Sequence, residues 1–150
     1  MSSALAIDLD ALGDTRPLWT AWLASVRDVL AIDPDQLPPD RGEAAHALDA
    51  SGAGNWRTLL ERFSEDHAGA YLRRDAATSA TLQSLAAEGV RLGVFTDAPE
   101  PLARIALAQL GAERRVSTLE SGEGALERLQ ATLGADTTVV RTRDDLLHRP

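Results

Sequence analysis

The chain has 150 residues, 44% of them hydrophobic, with a formal net charge of −8. Its length and apolar content suit one packed core, and its acidity argues against nucleic acid or an anionic membrane as partner. It has no cysteine, so disulfides, thiolate metal sites and cysteine nucleophiles are excluded; all 15 basic side chains other than histidine are arginine, so no lysine is present to hold a phosphate.

Residues 4–9, ALAIDL, form an apolar run suited to a buried strand, with Asp8 and Asp10 at its end. Gly13-Asp14-Thr15 breaks the pattern, and Pro17 suits a first helical turn. Over 18–32, Trp19, Trp22, Val26 and Val29 recur at spacings of three and four, which makes one helix face. Residues 33–42, DPDQLPPDRG, read as a loop. A short helix is expected over 43–50. Trp56, Leu60, Phe63, His67 and Ala70 then form a second helical stripe. Residues 15–73 are therefore expected to be an all-helical insert.

Beyond the insert, helices and strands alternate. Helices are expected over 75–89, 99–111 and 122–134, strands over 90–95, 114–120 and 137–142, and a last helical turn over 143–147. Strands separated by helices of this length imply parallel pairing with right-handed crossovers. The expected fold is α/β, a three-layer Rossmann-like parallel sheet built from residues 1–14 and 74–150, with 15–73 as the helical insert. No apolar run approaches membrane-spanning length and no cleavable signal precedes the first strand, so the expected location is cytoplasmic.

Ligands of open parallel sheets bind beyond the carboxyl ends of the strands. Those ends carry Asp8 and Asp10, Thr96 and Asp97, residues 120–124, and residues 141–145. His46, His67 and His148 are scattered, with no pair at metal spacing. Trp19 and Trp22 are expected to form the core of the insert or a face that pairs two copies of the chain.

AIDLDALGDT resembles the first motif of the haloacid dehalogenase-like hydrolase superfamily, an apolar strand followed by Asp-x-Asp-Gly-Thr. GVFTDAP resembles the second motif, a strand ending in Thr or Ser, and the helical insert between them resembles that superfamily's cap. The resemblance implies phosphoryl transfer. Asp8 would be the nucleophile that forms an aspartyl-phosphate, Asp10 the general acid/base, and Thr96 a donor to the phosphoryl oxygens. Asp97, Arg141 and Arg143 would join Thr96 in binding phosphate. Magnesium would be held by Asp8 and Asp10 with Asp144 and Asp145. The spacing suits this chemistry, because alternate side chains on an extended strand end face the same way, and one carboxylate can attack while the other carries a proton.

Three departures weigh against it. Ala11-Leu12 stands where the superfamily has Gly-Thr, at a turn read as needing glycine. Gly122-Glu123-Gly124 stands where a Gly-Lys-Pro is common, so an acid replaces a cation. The fourth strand ends in Arg141-Thr142 rather than Gly-Asp, which shifts Asp144 and Asp145 along the chain. Two readings follow. One is a domain with weak or lost phosphatase activity that binds a small phosphorylated ligand or a protein. The other is an active magnesium-dependent phosphohydrolase.

Overall fold

The computed structural model describes residues 3–148. Four strands, β1 (Ala4–Asp8), β2 (Arg91–Thr96), β3 (Thr118–Ser121) and β4 (Thr137–Val140), pair in parallel in the order β3-β2-β1-β4. Eight helices connect or follow them: α1 (Leu9–Leu12), α2 (Arg16–Val26), α3 (Arg41–Ala50), α4 (Trp56–Tyr71), α5 (Ala76–Ala87), α6 (Glu100–Gln109), α7 (Ala125–Leu133) and α8 (Arg143–Leu147). The fold is α/β, a Rossmann-like parallel sheet between helical layers, as the alternating pattern implies.

Strand alternation decides what each face touches. Ala4, Ala6 and Phe95 face one way and pack under Leu129 and Leu133 of α7. Gly93 sits beneath the same helix, where a Cβ would lie 2.5 Å from Leu129 Cδ1, so a larger residue would have to push the leucine side chains of α7 aside. Leu5, Ile7, Leu92 and Val94 face the other way, with Leu82 of α5 and Leu102 of α6. Helix α4 packs along α6, and α2 along α4. Trp22 therefore lies buried between Trp19 and Trp56, at ring-centroid distances of 5.2 and 6.0 Å. The insert's tryptophans and the sheet's aliphatic side chains belong to one continuous apolar cluster. Trp19 and Trp22 are consequently interior side chains, not a face for a second copy.

Several boundaries differ from those the sequence suggests. The first strand stops at Asp8, and residues 9–12 make a helical turn instead. Ala11 is buried in that turn at negative φ, so the turn does not need glycine there. Helix α2 ends at Val26, and Val29 is 74% exposed, outside the buried stripe. Residues 114–117 are turn and extended chain rather than strand, and β3 begins only at Thr118. Helix α3 starts at Arg41, two residues before the expected position. Its Asp40 caps the Glu43 N–H at 2.9 Å, satisfying one of the unpaired donors of a helix start. Asp75 and Thr142 cap α5 and α8 in the same way.

Candidate functional site

The register brings the carboxyl ends of the strands level. Asp8 pairs with Phe95, Thr96 with Ser121, and Ile7 with Val140. Beyond them lies a cleft of about 370 Å³ lined by Asp8, Asp10, Thr96, Asp97, the 122–127 segment and Arg141, and closed from the insert side by Arg16, Asp40 and Glu43. Of its 15 lining residues, seven are acids and two are arginines.

Asp8 is both the last strand residue and the cap of α1, where its Oδ1 accepts the Asp10 N–H at 2.9 Å. Asp10, on the first turn of α1, points its carboxylate at Thr15. Its Oδ1 accepts the Thr15 N–H at 3.0 Å and the Thr15 hydroxyl at 2.7 Å. The Thr96 hydroxyl accepts the Ala98 N–H at 3.2 Å, which fixes the chain as it leaves β2.

Beside the cleft lies a residue that strand-end reasoning does not find. Arg41, the first residue of α3, is only 1% exposed. Its Nε donates to Asp97 Oδ1 at 3.0 Å, and its Nη2 lies 2.8 Å from the same oxygen. Its backbone N–H donates to Asp97 Oδ2 at 3.0 Å. Its Nη1 donates to the Thr15 hydroxyl at 2.6 Å, and its Nη2 reaches Asp10 Oδ2 and Thr96 Oγ1, both at 3.5 Å. One guanidinium thus links three of the residues expected at the site, Asp10, Thr96 and Asp97. Arg16 adds a looser outer charge, 3.8 Å from Asp10 and 4.0 Å from Asp97, and is itself half exposed.

The segment that carries Arg41 is pressed against the loop after β3. A Cβ on Gly42 would lie 2.8 Å from the Glu123 backbone nitrogen, so glycine is required for the approach. Glu123 itself is exposed and pairs with His46 Nε2 at 2.6 Å. Arg128 of α7 braces the loop from below, donating to Glu120 Oε1 and to the Ser121 and Glu123 carbonyls.

The remaining expected residues divide. Arg141 reaches the cleft rim, with its guanidinium over the Phe95 ring at 5.7 Å. Arg143 turns elsewhere, to Asp75 at 2.8 Å. Asp144 and Asp145 are exposed in the first turn of α8 and do not line the cleft. Among the described residues, no three histidine, aspartate or glutamate side chains converge as a metal site. Asp10 is already committed to Thr15 and Arg41. The four-carboxylate donor set that the resemblance implies for magnesium does not assemble.

The charges here oppose one another. Burial pushes the Asp8 carboxyl above its ordinary 3.8; the Asp10 N–H works against this, and the nearby Asp10 and Asp97 carboxylates add to it. Burial would also raise Asp97, but the backbone N–H and guanidinium of Arg41 outweigh it and hold Asp97 below the usual carboxylate value.

A signal for Arg41 does exist in the sequence. Asp40-x-x-Glu43 has the spacing of a helix-start capping box, which would have moved the start of α3 back to Arg41. That Arg41 reaches the strand ends is decided by contacts 56 positions apart, which no local pattern carries.

No family model matches the chain, and no curated protein matches it. Solved structures do match. One is described as "Crystal structure of putative beta-phosphoglucomutase from Thermotoga maritima", with a TM-score of 0.58 and 16% sequence identity, covering 93% of this chain and 75% of that one. At that identity the likeness is one of fold: the chain shares the α/β architecture of that protein, in line with the Rossmann-like core implied by its two strand-end motifs.

Proposed function

We propose that the chain is a haloacid dehalogenase-like domain in which residues 1–14 and 74–150 form the core and 15–73 a cap fused onto it. It keeps little or none of the phosphoryl chemistry of its motifs and acts by binding. The observation that carries this reading is the buried Arg41 guanidinium bonded to Asp97, Thr15, Asp10 and Thr96. Asp10 is used structurally: its Oδ1 accepts two hydrogen bonds from Thr15, and its Oδ2 faces the Arg41 guanidinium.

The cleft's acids also oppose a phosphate. Two like charges ~4 Å apart repel by about 4 kcal/mol at an effective dielectric near 20, and the two lining arginines face seven acids. A phosphorylated ligand is therefore better sought elsewhere on the molecule.

One observation favours the second reading, a magnesium-dependent phosphohydrolase: Asp8, Asp10 and Thr96 do line a single cleft with Arg141 at its rim. Turnover of a panel of phosphate monoesters, with and without magnesium, separates the two. The proposal expects the wild-type rate to equal that of Asp8→Asn throughout. Magnesium-dependent turnover lost in Asp8→Asn would establish the second reading.

A further inference from the structure

A second cavity, of about 470 Å³, shares no residue with the strand-end cleft. It is lined by Arg74, Arg114 and Arg115, with Glu113 its one acid and Ala108 and Gly111 completing the wall. Three guanidinium groups around one concavity are unexpected in a chain of net charge −8. Several arginines elsewhere are matched by acids: Arg57 by Asp49, Arg104 by Glu61 and Glu100, Arg128 by Glu120, Arg143 by Asp75. Among the described residues, the side chains of Arg74, Arg114 and Arg115 make no hydrogen bond or ion pair.

The local backbone explains how they meet. Gly111 follows α6 at φ +74°, and its missing Cβ lets the Arg74 side chain lie across it; a Cβ there would be 2.7 Å from Arg74 Nε and 2.8 Å from Cζ. The Gln109 side chain holds the preceding segment through the Leu72 carbonyl at 3.3 Å. Arg114 and Arg115 come from the turn that leads into β3, closed by the Arg115 N–H on the Ala112 carbonyl at 3.1 Å. The negative end of α6 accounts for one cation nearby. It does not account for three that repel one another with a single acid among them.

We infer that Arg74, Arg114 and Arg115 form a binding site for a small multivalent oxyanion, separate from the strand-end cleft. Guanidinium groups match phosphate and carboxylate oxygens in bidentate pairs, and a polyanion would relieve the mutual repulsion of three cations at once. Binding needs no covalent step and no metal.

The test is calorimetric titration of the full chain with inorganic pyrophosphate and, separately, with citrate, at fixed ionic strength. One saturable site is expected for at least one of them; tighter pyrophosphate binding marks a phosphate ligand, tighter citrate binding a carboxylate ligand. Arg74→Gln and the double variant Arg114→Gln/Arg115→Gln should each weaken that binding about tenfold or more, the scale of a lost charge-assisted contact. These positions are exposed, so the variants should fold, which a Tm measurement checks. Exposed Arg27, outside the cavity, supplies the control Arg27→Gln, which should bind as wild type does. No saturable binding of either anion overturns the inference. So does weakening by Arg27→Gln to the same degree, which marks unspecific charge attraction. Loss on Arg141→Gln instead overturns it too, since the anion would then sit in the strand-end cleft.

Discussion

Arg41 and Asp97 are joined by three contacts across 56 positions of chain: Nε to Oδ1 at 3.0 Å, Nη2 to Oδ1 at 2.8 Å, and the backbone N–H to Oδ2 at 3.0 Å. The pair ties the start of α3 to the end of β2. Arg41 is buried while Asp97 keeps about a quarter of its side chain in solvent, so the carboxylate tolerates the loss of its partner poorly but not without relief from water. Arg41→Met should cost about 3 kcal/mol, the lower range for breaking a buried pair. For a chain of this size that lowers Tm by roughly 6–12 °C. Urea unfolding measures it, and a double-mutant cycle with Asp97→Asn isolates the coupling.

The pair also sets a pH dependence. The folded-state pKa of Asp97 is depressed below 3.8. Its contribution is therefore present above the unfolded value and lost as pH falls through the folded one. The stability gap between wild type and Arg41→Met should be full at neutral pH and shrink in acid below 3.8. Denaturant unfolding at a series of pH values reads this directly.

Asp8 has the opposite sign. Its folded pKa is raised, so its contribution is present below 3.8 and lost as pH rises through the folded value. Asp8→Asn removes the buried charge but keeps an oxygen to accept the Asp10 N–H. The variant should melt above wild type at pH 7 and level with it in acid, as thermal unfolding at both pH values would show.

Two glycines on helices separate packing from propensity. Alanine in place of a helical glycine gains up to about 1 kcal/mol from the backbone alone. At Gly69, on the exposed side of α4, a Cβ would meet only Gln109 Nε2 at 3.7 Å. Gly69→Ala should stabilise by about that amount. At Gly42 a Cβ would press on the Glu123 backbone at 2.8 Å. Gly42→Ala should instead destabilise by about 1–2 kcal/mol, since the loop and α3 must part. Equilibrium unfolding of the two variants gives opposite signs.

Buried Ser64 on α4 offers a further measurement. Its hydroxyl has no hydrogen-bond partner among the described residues, although the residue is fully buried. Removing an unpaired buried polar group removes its desolvation cost. Ser64→Ala should raise stability by about 1 kcal/mol in denaturant unfolding.

The fold was legible because the periodicities were clean. ALAIDL alternates between the two faces of the sheet that Leu5 and Ile7, Ala4 and Ala6 occupy. The helical stripe through Trp56 and Leu60 ends in the same core that receives Trp22. Less was legible where an element's end is set by tertiary contact. Val29 continues the spacing of Trp19, Trp22 and Val26, yet the helix has already ended. At the site, Asp8 and Thr96 could be placed because each terminates a recognisable strand, and Asp10 because it follows two residues after the first. Arg41 could not, because it is one arginine among 15, inside a Pro- and Asp-rich stretch, and only the docking of α3 brings it to Asp97. Arg143 shows the converse: its position in sequence pointed to the sheet end, but Asp75 lay within reach and took it.

On the proposed reading, the strand-end acids carry out little or no phosphoryl transfer. Acid-quenched incubation with a radiolabelled phosphoryl donor, followed by peptide mass analysis, tests it most directly. No phosphoryl adduct is expected on the peptide that contains Asp8, with or without magnesium. A labelled adduct on Asp8, absent in Asp8→Asn, would contradict it.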